Sequence, residues 1–256
     1  MGVALIESQP TMAPLFNLVN TAVMTAEKCD KQNVRLVAKE VRRAMASVLN
    51  LRGREQLITH ISNELRDGMQ VMTNSYSSTL FQAFKRAVEE GKQFGVIVPE
   101  GRPILEGRKL AGDLGALGIH VTLTTDAAAP GMIGECDAVF LGADAIVERG
   151  VINKTGSLGI GLAARESEVP LIIACERNKF LPAKYRPSLP IVEHDWAELL
   201  PKRLKNVAVR NVYFELLPYK FLQAIYTEEG AVRPRAIQSV LKNMPVSFRL
   251  LEELHY

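Results

Sequence analysis

The stretch Asp137–Arg165 reads DAVFLGADAIVERGVINKTGSLGIGLAAR, and the order of its segments decides the fold class. An apolar run, Ala138 to Leu141, ends in Gly142-Ala143-Asp144. A polar turn carrying Asn153-Lys154 follows, and Thr155-Gly156-Ser157 opens a helical pattern. Strand, polar loop and helix N-terminus in this order bring an acid, an amide, an ammonium and free backbone N–H groups to the carboxyl end of a buried strand. Open α/β sheets bind ligands at that edge, and helix N-termini attract anions.

The same alternation extends outward. Met69–Thr73, Gly95–Val98, Ile119–Thr124, Ala138–Leu141 and Pro170–Ala174 read as strands. Ser78–Glu90, Glu106–Leu117, Ala127–Ile133 and Ser157–Ser167 read as the helices between them. Strands this uniformly apolar imply an α/β fold with a parallel sheet covered on both faces. Past Pro182 the pattern loosens: a strand at Ile191-Val192, a short helix at Tyr219–Tyr226 and another at Pro234–Lys242. Before the turn at Asp67-Gly68 the period is helical throughout. One helix lies in Thr11–Cys29, a second follows a capping Asn33, and a third covers about Gly53–Arg66. The expected organisation is a helical region over 1–67 and an α/β domain over 68–256.

Composition narrows the function classes. Of 256 residues 47% are hydrophobic and 23% charged, as in an ordinary globular chain. The net charge of +3 comes from dispersed lysines and arginines, which argues against direct nucleic-acid binding. Cys29, Cys136 and Cys175 are far apart, with no metal spacing and no disulfide framework, so a reducing compartment is expected. No apolar run approaches the ~20 residues of a spanning helix. The expectation is a cytoplasmic protein without membrane association, bound metal or cofactor.

Four loops at the carboxyl edge hold the candidate site. The first, Thr73-Asn74-Ser75-Tyr76-Ser77-Ser78-Thr79, is rich in hydroxyls; Ser77 or Ser78 caps the next helix, or the loop holds an anion. In the second, Pro99–Pro103, Arg102 is either part of a surface turn or a phosphate ligand. In the third, Asp126 either caps a helix or contacts a ligand. The fourth carries Asp144, Asn153 and Lys154; acid and ammonium either pair with each other or serve a ligand. Lys179 adds a cation after the fifth strand. The sequence contains no dinucleotide fingerprint, P-loop, nucleophile elbow or zinc pattern.

Several blocks together carry a resemblance: GRPILEGRKLA (Gly101–Ala111), TTDAAA (Thr124–Ala129), LGADAIVERGVINKTGS (Leu141–Ser157), Lys179-Phe180 and YTEEGAVRP (Tyr226–Pro234). They resemble the family that joins the alpha, beta and delta subunits of translation initiation factor 2B to isomerases of methylthioribose 1-phosphate and ribose 1,5-bisphosphate. The resemblance implies a helical N-terminal region followed by a Rossmann-like domain, and a homodimer. It implies a catalytic Cys–Asp pair, with Asp144 on the Asp and Ser75 on the Cys position. The Arg-Gly-Ala phosphate segment of the isomerases has no counterpart here. A thiol titrates near ~8.5 and can be tuned, whereas serine needs an adjacent base. The resemblance therefore favours a binding protein for a phosphorylated sugar or nucleotide, with a translation factor as partner. Arg102, Lys154 and the helix N-terminus at Ser157 would hold phosphate, Asp144 and Asn153 ribose hydroxyls, with Ser77, Lys179 and Asp126 alongside. The alternative is an aldose–ketose isomerase of a phosphorylated pentose, with Asp144 and Ser75 as the catalytic pair.

Overall fold

The computed structural model describes residues 2–8, 12–29, 33–48, 51–185 and 193–254. The strand expected at Ile191-Val192 lies outside the described residues. Four helices come first: α1 (Gly2–Ser8), α2 (Ala13–Lys28), α3 (Val34–Val48) and α4 (Leu51–Glu64). Asn33 caps α3, its Oδ1 accepting from the Leu36 N–H at 3.0 Å.

The alternating region follows as β1 (Gln70–Met72), α5 (Ser78–Glu89), β2 (Gly95–Pro99), α6 (Glu106–Ala116), β3 (His120–Thr124) and β4 (Ala138–Leu141). A 3-10 turn, Ala129–Glu135, stands where a short helix was expected from Ala127. Then come β5 (Ala145–Val147), β6 (Gly150–Lys154), α7 (Ser157–Glu166) and β7 (Leu171–Ala174). The last elements are β8 (Phe214–Leu217), β9 (Ala224–Thr227), β10 (Gly230–Val232), α8 (Ile237–Asn243) and α9 (Phe248–Glu253).

The main sheet has the order β10-β9-β7-β4-β1-β2-β3. All its pairings are parallel except β9 with β10. The order reverses between β1 and β4, which opens a crevice at their carboxyl ends. Side chains on a strand alternate in direction, so an uninterrupted apolar run feeds two cores. Ala138 and Phe140 join Leu57, Ile61, Leu80, Phe84 and Leu110 beneath α4, α5 and α6. Val139 and Leu141 face the other way, onto Ile133, Ile160, Ala164 and Ile237. The chain is thus α/β, with helices on both faces of a mostly parallel sheet.

Two expected elements are corrected. Tyr219–Tyr226 is not a helix: a 3-10 turn covers Tyr219–Phe221, and β9 then pairs with β7. Asn153 and Lys154 do not lie in a turn but on β6, which pairs antiparallel with β5 and with β8 in a second, three-stranded sheet. A third core joins this small sheet to the chain's two ends. Phe16 and Val19 of α2 pack with Ala145, Ile152, Leu250 and Leu251, and the rings of Phe16 and Tyr185 stack at 3.9 Å. The Asn17 amide of α2 donates to the carbonyls of Asn178 and Phe180, each at 2.7 Å, and so fixes the turn carrying Lys179.

Candidate functional site

A cavity of about 530 Å³ opens at the carboxyl edge where the strand order reverses. Its walls include Ser75, Ser77, Asp144, Asn153, Lys154 and Lys179, so six of the residues singled out in the sequence converge. Arg54, Glu106, Glu176 and Tyr213 join them without having been singled out.

Each wall has a local cause. The β1–α5 loop turns sharply at Ser75, whose φ of 66° is in the left-handed region that non-glycine residues seldom visit. Ser77 is the N-cap of α5, its Oγ accepting from the Leu80 N–H at 3.3 Å. At the other end of this loop Asn74 is buried, with its amide within 3.5 Å of the Lys154 carbonyl, 3.4 Å of the Thr155 carbonyl and 3.4 Å of Ser157 Oγ. Asn153 donates to Ser157 Oγ at 3.0 Å, and Ser157 Oγ donates to the Lys154 carbonyl at 2.7 Å. These bonds tie the β6–α7 corner to the first loop. Asn153 is therefore buried scaffolding, with one face on the cavity.

Glu106 enters because α6 starts unusually close to β2. A Cβ at Gly107 would lie 1.8 Å from the Pro99 carbonyl oxygen, so only glycine permits the approach. Glu106 Oε1 accepts from Ser75 Oγ at 2.9 Å and from Lys154 Nζ. The pair is buried, with the Lys154 side chain 4% exposed and that of Glu106 15%. Lys154 also lies over the Tyr213 ring, 5.1 Å from its centroid. Thus Lys154 pairs with Glu106 and not with Asp144.

Asp144 is a different kind of acid. Among the described residues no group hydrogen-bonds its carboxylate, and only its backbone N–H is engaged, donating to the Ile152 carbonyl at 2.9 Å. Burial raises its pKa above the usual carboxylate value; Lys179 and Lys154 nearby pull it part of the way back. A carboxyl that is half-buried, unpartnered and close to two ammonium groups can hold or release a proton near a ligand. Cys175 also borders the cavity, but burial foremost, with Glu176 beside it, raises its pKa strongly and keeps the thiol protonated.

At the mouth, Arg54 donates to Ser78 Oγ at 2.7 Å and lies 3.7 Å from Glu176. Glu176 in turn accepts from Thr79 Oγ1 at 3.1 Å. No acid within ion-pair distance meets Lys179 among the described residues.

Three of the sequence candidates stand apart from this cavity or are already engaged. Asp126 is outside the cavity: its carboxylate accepts from the N–H groups of Gly101 and Arg102 at 2.8 and 2.7 Å and pins their loop. Arg102 is exposed and also does not line the cavity. Asp126 follows β3, the edge strand, while Arg102 follows β2, whose loop reaches the cavity through Ile104 and Glu106. The N-terminus of α7 is not free for phosphate, because Glu215 Oε1 accepts from the Gly156 and Leu158 N–H groups at 2.7 and 2.8 Å. A carboxylate already holds the place of the anion. A second cavity of about 500 Å³, bordered by Val19, Val23, Val37 and Leu250, lies away from all these groups. No group of metal-binding side chains occurs among the described residues, and none of their helices is long and apolar enough to cross a membrane.

This arrangement, a helical N-terminal region followed by a mostly parallel sheet with an acid–ammonium pocket at the strand-order reversal, defines a class of α/β proteins with a cavity at the sheet's carboxyl edge. The profile of the initiation factor 2 subunit family, IF-2B, matches residues 2–234, and the chain belongs to that family. Among its relatives, a ribose 1,5-bisphosphate isomerase of Archaeoglobus fulgidus is 34% identical over 242 residues, which cover 93% of this chain and 76% of the relative. A translation initiation factor eIF-2B subunit 2-like protein of Pyrococcus abyssi is 34% identical over 236 residues, covering 91% and 80%. The crystal structure of translation initiation factor eIF-2B from Pyrococcus horikoshii OT3 matches with a TM-score of 0.76 at 30% identity, covering 91% of this chain and 80% of that one.

Proposed function

We propose that the cavity binds a phosphorylated pentose and that the chain isomerises it from aldose to ketose. The observation that carries this reading is Asp144: a half-buried carboxyl on the cavity wall, without a hydrogen-bond partner among the described residues, its pKa raised by desolvation in the presence of Lys179 and Lys154. For a pentose phosphorylated at C1, the ring C1–O4 bond breaks and O4 gains a proton. The C2 hydroxyl loses its proton, and the proton on C2 moves to C1. Phosphate is retained and no outside oxidant is needed. Asp144 carries the oxygen-bound proton. Ser75, whose hydroxyl proton already points at Glu106 Oε1, relays the carbon-bound proton. The isomerase name borne by the relative from Archaeoglobus fulgidus supports the reading.

Ser75 also favours a second reading, in which the pocket binds a phosphorylated sugar or nucleotide without turnover, as a regulatory subunit that meets a translation factor. Both readings include a homodimer, which light scattering of the purified chain measures. The test incubates the protein with ribose 1,5-bisphosphate and with methylthioribose 1-phosphate and follows the ketose by NMR. Turnover falling at least about 100-fold in Asp144→Asn supports catalysis. Turnover indifferent to that change refutes the role of Asp144. Thermal stabilisation without turnover selects the binding reading.

A further inference from the structure

We infer that Glu106 limits the ligand to a single phosphate group: the pocket is built for a monophosphorylated sugar or nucleoside and discriminates against a bisphosphate. This rests on the reading that the cavity binds a phosphorylated pentose.

The charges around the cavity nearly cancel before any ligand enters. Three cations line the cavity, Arg54, Lys154 and Lys179, and three acids, Glu106, Asp144 and Glu176. Lys154 is taken up by Glu106, and both side chains are withdrawn from water. Arg54 is held near Glu176 and on Ser78 Oγ. The N-terminus of α7, a further positive end, is closed by Glu215. Lys179 is left to face an incoming anion, with Arg54 able to turn from its longer contact. A phosphomonoester carries roughly −1.5 to −2 near neutral pH, a charge these two cations can meet. A second phosphate doubles that charge. It would have to reach Lys154, and there it meets the Glu106 carboxylate at the same ammonium.

The remaining acids suit the rest of such a ligand. Ser75 and Glu106 Oε1 form a donor–acceptor edge, and Asp144 is free to bond a hydroxyl. Sugar hydroxyls are met this way, and phosphates are repelled.

The substitution Glu106→Gln removes the charge and keeps an oxygen that can accept from Ser75 and Lys154; because it leaves the Lys154 ammonium without its counter-ion, a thermal melt of the variant accompanies the titrations. The experiment titrates ribose 5-phosphate and ribose 1,5-bisphosphate into wild-type protein and into Glu106→Gln by calorimetry at one ionic strength. Wild type is expected to prefer the monophosphate. Glu106→Gln is expected to gain about tenfold or more for the bisphosphate and several-fold less than that for the monophosphate. The wild-type preference stands as evidence even if the variant is unstable. A wild-type preference for the bisphosphate, or equal gains for both ligands in the variant, overturns the inference while leaving the pocket reading intact. Binding of neither ligand to wild type overturns both.

Discussion

Replacing Lys154 by methionine should cost far more than replacing any surface lysine, because it strands the Glu106 carboxylate. The Lys154 and Glu106 side chains are 4% and 15% exposed, and Glu106 Oε2 is already buried without a hydrogen-bond partner among the described residues. Removing one member of a buried pair costs about 3–5 kcal/mol, chiefly the penalty of the charge left behind. For a chain of this size 1 kcal/mol moves Tm by roughly 2–4 °C, so Lys154→Met should lower Tm by about 6–20 °C. The solvent-exposed pair Lys109–Asp113 is the control, and Lys109→Met should leave the melt unchanged. The double variant Lys154→Met/Glu106→Gln removes both charges and should recover most of the loss. The assay is urea and thermal denaturation at matched protein concentration. If Lys154→Met is as mild as Lys109→Met, or if the double variant is no better than the single, Lys154 does not neutralise Glu106 in the folded protein. The charge count that limits the ligand to one phosphate then loses its basis.

Other expectations follow from the same geometry. Burial raises the folded-state pKa of Asp144, so its proton favours the folded state; that stabilisation is complete below the usual carboxylate range and lost as pH rises through the raised value. Asp144→Asn should therefore raise Tm at neutral pH, with a gain that vanishes on acidification, as a melt series across pH will show. Arg102→Ala should leave sugar-phosphate affinity within about twofold, since Arg102 is exposed and outside the cavity; calorimetry checks this. Gly107→Ala should cost on the order of 1–3 kcal/mol in denaturation and weaken ligand binding, because relieving a 1.8 Å approach to the Pro99 oxygen pushes α6 and Glu106 outward. Glu215→Gln should cost about 1–2 kcal/mol through weaker bonds to the Gly156 and Leu158 N–H groups, read in the same denaturation assay.

The elements legible in the sequence were those whose pattern is local. The apolar runs from Val71 to Ala174 became strands of the main sheet, with bounds within two residues, because buried parallel strands carry continuous hydrophobic sequence. Asp144, Ser75, Ser77, Asn153, Lys154 and Lys179 converge because each stands at or near the carboxyl end of a strand close to the reversal, or on the small sheet beside it. What escaped depended on strand order. Arg102 and Asp126 had the same local signature as Ser75; Asp126 follows the edge strand β3, and Arg102 is exposed although Ile104 and Glu106 beyond it line the pocket. The β5–β6 hairpin was hidden because GADAIVERGVINK is polar at both ends. Its third strand, β8, lies about sixty residues away, and no local period announces that partnership. Arg54 looked like an ordinary helical arginine, and Glu106 like the first acid of a helix. The tight contact at Gly107, a three-dimensional fact, turns Glu106 into a pocket wall. Glu215 had no signature, since a cap supplied from another strand leaves none near the helix it caps.

The most direct test of the central claim is an NMR assay of the wild-type chain with phosphorylated aldopentoses, run beside Asp144→Asn. Wild type should form a ketose from a monophosphorylated aldose such as methylthioribose 1-phosphate, with formation lost in the variant while its fold is retained. Ketose formation that persists in Asp144→Asn would contradict it, as would a wild-type chain that turns over none of these sugars.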